Sequence, residues 1–171
     1  MAIRPTRRTF LRAAPLAAAS LTFTDQLLYA ADGQAPVATE KVQLFPGTLL
    51  AEKFKALQAK PGNDNISTPA TLPFTIVLTV EEKKSAKEFE WHEGRDHIFQ
   101  VVEGETRYEI GGTPKGAHSS KPGEWNAPES VGSTTMILKK GDMLVIPRNT
   151  LHKRSTEGSV TFTLISTSGK V

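Results

Sequence analysis

From Phe74 onward the chain is a series of short apolar segments with a period of two, broken by Gly, Pro, Asn and Asp, and this rhythm narrows the available folds more than any other feature. Phe74-Thr75-Ile76-Val77-Leu78-Thr79-Val80 alternates Phe, Ile, Leu and Val with Thr and Val, which is the pattern of a strand with one strongly apolar face. Further strands are predicted at Glu88 to His92, His97 to Val102, Thr106 to Ile110, Thr134 to Leu138, Met143 to Ile146 and Ser159 to Ser166, separated by Gly or Pro turns. Short strands with almost no helix can bury their apolar faces only against one another, as a sandwich or barrel. A chain of 171 residues has length for one such core.

Upstream of the strands, Leu50, Phe54 and Leu57 recur at helical spacing between Pro46 and Pro61-Gly62, predicting one short amphipathic helix with Thr48 as its N-cap. Gly62 to Pro73 reads as a polar loop. The only long connection among the strands, Gly111 to Ser133, carries Trp125. Its Pro122-Gly123-Glu124-Trp125 is expected to fold over the barrel mouth as a lid, or to serve as a dimer arm.

The N-terminus has a different chemistry. Thr6-Arg7-Arg8-Thr9-Phe10-Leu11-Arg12 precedes an uncharged stretch from Ala13 to Thr24, a basic region followed by an apolar one, which reads as an export signal. The apolar run is too short and too diluted with Ala, Ser, Thr and Pro for a membrane anchor. It resembles the twin-arginine signal at six specified positions, and that resemblance implies export to the periplasm in the folded state, with cleavage between Ala31 and Val37. Residues 1–33 are therefore assigned to the signal, 34–73 to an arm with the helix, and 74–171 to the barrel. The sequence pI of 9.2 belongs largely to the signal, because removing residues 1–33 leaves 17 basic against 16 acidic residues. Such a body offers no basic footprint for a nucleic acid.

The chain has no cysteine, so any metal must be held by nitrogen and oxygen. Of four histidines, His92 and His97 lie in Glu90-Trp91-His92-Glu93-Gly94-Arg95-Asp96-His97, and His152 closes the run that begins at Gly141. Strand parity places Glu88, Glu90 and His92 on one face, and His97, Phe99 and Val101 on one face of the next strand. An inward histidine and carboxylate two residues apart, with a second histidine across the turn, form half of a metal site suited to Zn, Fe, Mn, Ni or Cu. Glu88 shares the parity of Glu90, so either acid fits the pattern. Phe99, Val101, Tyr108 and Met143 read as pocket walls. Gln100 points outward, Arg95 lies in the turn, and His118 lies in a Ser/Gly loop without partners.

Residues 74–166 resemble the cupins, whose motifs are G(x)5HxH(x)3,4E(x)6G and G(x)5PxG(x)2H(x)3N. With Gly104 as anchor, His97 stands at the family's Glu, His92 at its second His and Glu90 at its first, while Gly141, Pro147 and His152 match the second motif. Asn149 replaces a Gly there, an exchange that Asn's tolerance of positive φ makes cheap. The resemblance implies an all-β double-stranded β-helix, or jelly-roll barrel, holding one divalent transition metal at Glu90, His92, His97 and His152. It further implies a dioxygenase, isomerase or lyase acting on a small organic molecule, or a non-catalytic binding protein. Pairing into a homodimer through outward Ile98, Val102 and Gln100 is expected as well.

Overall fold

The structure, a computed structural model, describes residues 42–67 and 71–169, and the predicted export signal lies outside them. Helix α1 (Gly47–Ala59) is followed by β1 (Gly62–Asn65), β2 (Phe74–Ser85), β3 (Phe89–His92), β4 (His97–Ile110), β5 (Thr113–Lys115), β6 (His118–Lys121), β7 (Glu124–Ala127), β8 (Glu129–Val131), β9 (Thr134–Lys139), β10 (Met143–Ile146) and β11 (His152–Thr167). The fold is all-β with one short helix. Among the described residues no helix is long and apolar enough to cross a membrane.

β11 is the axis of the sheet. One edge pairs with β2 along its C-terminal part and with β3 at His152, and the other edge pairs with β4 over nearly its whole length. β4 in turn carries β10 beside its first half and β9 beside its second. The long strands β4 and β11 therefore belong to two antiparallel ladders at once, β1-β2-β11-β4-β10 and β6-β7-β3-β11-β4-β9, as in a jelly roll.

Closure follows from one distance. Phe99 and Tyr108 are nine residues apart on β4, about 30 Å along a straight strand, yet their rings lie 5.2 Å apart. The strand must double back between them. Two features do this. At Val102 the register against β11 slips by one residue, which moves the inward positions from 97, 99 and 101 to 106 and 108. At Gly104 the backbone takes φ +78°, and a Cβ there would sit 2.1 Å from the Ser159 carbonyl oxygen. The resulting interior is packed with Phe99, Val101, Tyr108, Leu138, Ile146, Val160 and Phe162. Arg154 enters it as well, its guanidinium 4.6 Å from the Phe162 ring centroid. Glu81, almost wholly buried, accepts two hydrogen bonds from Arg154, which also donates to the Tyr108 hydroxyl at 2.9 Å. Burial alone would raise the Glu81 carboxyl, but these bonds outweigh it and hold its pKa below the usual value.

Several expectations change. The apolar face of β2 is the outer one: Val77 and Thr79 lie opposite the inward Leu164 and Phe162, so Leu78 and Val80 point away from the interior and are buried on the side of the sheet where α1 lies. Leu50, Phe54 and Leu57 of α1 are half-buried. Pro46, not Thr48, is the N-cap, and Thr48 lies within the first turn. The polar stretch after α1 contains β1, which needs no apolar face because it adds to the edge of β2 through backbone pairing. The two strands expected at 97–102 and 106–110 are one bent strand.

Candidate metal centre

Three strand ends bring the histidines together. His92 ends β3, His97 begins β4 and His152 begins β11. His97 pairs with Ile146 and Ser166 in one ladder, His152 with Glu90 and Ile110 in the other, so the barrel's closure sets them against each other across its mouth. Ring centroids are 4.8 Å apart for His92 and His97, 5.5 Å for His92 and His152, and 5.6 Å for His97 and His152. One nitrogen from each ring lies within 4.8 Å of the others, and all three residues are buried. Asn149, in the turn before His152, takes φ 62°, the conformation that its place in the motif required.

The outer nitrogens are tied down. His152 Nδ1 lies 2.8 Å from the Thr150 carbonyl oxygen, which can only accept, so Nδ1 carries the proton and Nε2 keeps its lone pair. His92 Nδ1 lies 2.6 Å from Glu124 Oε2, and Arg95 donates to that same oxygen. Arg95 Nη2 also lies 3.0 Å from His92 Nδ1, but the carboxylate between them can only accept and is the nearer partner of both nitrogens, so Nδ1–H of His92 is again the donor. Among the described residues, His92 Nε2, His152 Nε2 and both nitrogens of His97 are buried without a hydrogen-bond partner. Orphaned buried nitrogens are costly, and three convergent lone pairs are what a divalent metal with imidazole ligands requires. The residues fit the ion.

Electrostatics agree with that use. Burial, reinforced by His92, His152 and Arg95, pushes His97 down to about 3, so its ring is neutral at ordinary pH. Burial and Arg95 also lower His92, against the opposing pull of Glu124 and Glu90. Glu90 is not enclosed with the imidazoles: its side chain is 52% exposed, and Oε1 lies 3.6 Å from His152 Nε2, too long for a hydrogen bond. Glu90 stands as an anion at the open side of the triad. Glu88 lies elsewhere, 3.7 Å from His118 Nε2.

Of the residues read as pocket walls, Phe99, Val101 and Tyr108 fill the interior, Phe99 with its ring 5.6 Å from that of His97. Met143 does not line it. It pairs with outward Gln100 and is 60% exposed on the outer face. His118 is exposed on β6, facing Glu88 rather than lacking partners. The long connection is built into the sheet: its Glu124–Ala127 is β7, paired with β3, with Trp125 opposite and stacked on Trp91 at 5.7 Å. The tie of Glu124 to His92 has no mark in the sequence, because the contact spans 32 residues and no local motif joins the two.

No family model matches the sequence, and no curated protein matches it. Solved structures do. Protein BH2720 from Bacillus halodurans is similar over 81% of this chain and 86% of its own, at 13% identity and a TM-score of 0.49. Protein NMB1881 from Neisseria meningitidis is similar over 75% of this chain and 100% of its own, at 17% identity and a TM-score of 0.48. A cupin-2 domain containing protein from Shewanella frigidimarina is similar over 68% of this chain and 89% of its own, at 18% identity and a TM-score of 0.45. These likenesses bring no ligand or reaction with them.

Proposed function

We propose that this chain is an exported cupin that holds one divalent transition metal at His92, His97 and His152 and acts at that metal on a small organic molecule. The observation that carries the reading is the set of buried Nε2 atoms without partners, two of them on rings whose Nδ1 is already committed to an acceptor. A bound ion would supply a Lewis acid for an oxygen of the substrate. His92, His97 and His152 would hold the ion as neutral donors. Glu90, half-exposed beside them, is the fourth ligand or the base that takes a proton from a ligand entering at the mouth. Phe99 backs the site and keeps water from its inner side. In this reading Arg7-Arg8 directs the folded protein to the periplasm, and a homodimer forms through the outer face of β4 and β10, where Val102, Met143 and Val145 are exposed.

The test is elemental analysis of the mature, untagged protein. Near one equivalent of Fe, Mn, Zn, Ni or Cu per chain, lost in His92→Ala and His152→Ala but kept in His118→Ala, is expected. Equal occupancy in all three variants, or no uptake by folded protein, rejects the site. A second reading, a non-catalytic metal-binding or ligand-binding cupin, is favoured by an interior filled with side chains and by a carboxylate poised as fourth ligand. Azide separates the two: a change in the visible bands of the Co(II)-loaded protein marks an exchangeable position, and unchanged bands mark a closed site.

A further inference from the structure

The strand β7, which brings Glu124 to His92, comes from the connection between β4 and β9, far in sequence from every histidine of the triad. We propose that Glu124 is a positioning residue for His92, and that it couples metal binding to the seating of the β6–β7 hairpin on β3. The inference rests on the metal reading above.

Three observations carry it. Glu124 Oε2 accepts the Nδ1–H of His92 at 2.6 Å, which selects the tautomer with a free lone pair on Nε2 and fixes the ring plane. Arg95 donates to the same oxygen, so the carboxylate is held from two sides and cannot swing away from the ring without losing an ion pair. Finally, among the described residues the other ties between the hairpin and the β3 segment are few: the backbone ladder, the Trp91–Trp125 stack, the 2.8 Å bond from Trp125 Nε1 to Glu93 Oε1, the Glu93 N–H donated to the Gly123 carbonyl, and the 3.7 Å approach of His118 Nε2 to Glu88. β6 is exposed along its length and lies at the sheet edge. With so few contacts, a side-chain bond that strengthens when His92 binds a cation changes the hairpin's stability. Coupling is reciprocal: what the hairpin contributes to the metal, the metal returns to the hairpin.

The chain has two tryptophans, Trp91 and Trp125, and they adjoin His92 and Glu124 in sequence. All intrinsic tryptophan emission therefore reports on this strand pair. The experiment titrates Zn(II) into wild type, Glu124→Ala, Glu124→Gln and Trp125→Phe under chelator competition, with emission followed in each. Wild type is expected to bind near one equivalent and to change emission. Glu124→Ala should keep that stoichiometry with affinity lowered about 10–100-fold, while Glu124→Gln, whose amide oxygen still accepts the Nδ1–H, should recover part of the loss. Trp125→Phe disturbs the stack and removes the bond to Glu93 but leaves Glu124 in place, and should lose much less affinity than Glu124→Ala. Affinities within twofold of wild type in both folded Glu124 variants would overturn the proposal. A loss in Trp125→Phe equal to that in Glu124→Ala would also overturn it, since the effect would then be general loosening of the hairpin. Absence of binding by wild type would refute the metal reading itself, and the coupling with it.

Discussion

Burying three imidazoles together has a cost that appears when acid is added to the metal-free protein. His97 titrates near 6.5 in the unfolded chain and is pushed down to about 3 in the fold. Between those values the unfolded state binds a proton that the folded state refuses, so stability falls as pH falls. From about pH 7 to about pH 5, unfolded-state protonation at this one residue lowers the stability of the metal-free protein by about 2 kcal/mol. His92, lowered in the same direction, adds to the loss. The depressed carboxyl of Glu90 acts mainly below this window, where its protonation in the unfolded chain sets in, and it does not confuse the reading. The assay is urea unfolding in the presence of a chelator at both pH values, with wild type and His97→Gln. The variant, which has no proton to refuse at this position, should lose about 2 kcal/mol less on acidification. Equal stability of wild type at the two pH values, or an identical acid loss in His97→Gln, would refute the claim that His97 is buried and neutral.

Other consequences are as direct. Gly104→Ala places a Cβ against the Ser159 carbonyl at a positive-φ position and should cost about 2–4 kcal/mol in chemical denaturation. Glu81→Ala leaves Arg154 in the barrel without its carboxylate and should cost about 3–5 kcal/mol, whereas a loss below about 1 kcal/mol would show that Arg154 reaches water. Met143→Ser with Val145→Ser should leave monomer stability within about 1 kcal/mol and weaken the proposed dimer in light scattering, because both side chains are exposed. Glu90→Gln should weaken metal retention if the carboxylate is a ligand, with retention equal to wild type placing it outside the coordination sphere.

The strands whose alternation is uninterrupted were readable in advance, and their limits were not. β2 runs on through Glu81 to Ser85 because Glu81 finds Arg154 across the interior, a pairing that erases the apolar signal just where the strand continues. β11 begins at His152, well before the apolar run at Ser159, for the same reason: Arg154 faces inward and Lys153 covers the Phe89 ring. A register slip at Val102 broke β4 into two apparent strands, since one extra residue inverts parity and no local pattern survives it. At the site, the three histidines were legible because parity and spacing are local properties. Met143 faces outward because it pairs with Gln100, whose own parity is outward, and that pairing has no local mark in the sequence. Glu124 belongs to a third kind, residues whose role exists only through a long-range pairing, here β3 against β7.

The central position of β11 also bears on how the protein is made. His152 stands at the start of this strand, and the strand must insert between β2 and β4 before its imidazole can meet His92 and His97. Strand pairings between segments this distant in sequence form late and slowly, because loop closure is costly until many contacts form together. During synthesis, a chain that has emerged only as far as β10 carries two of the three histidines and an open edge on β4. The ion therefore has no complete site until the barrel is finished, so metal selection takes place wherever folding ends.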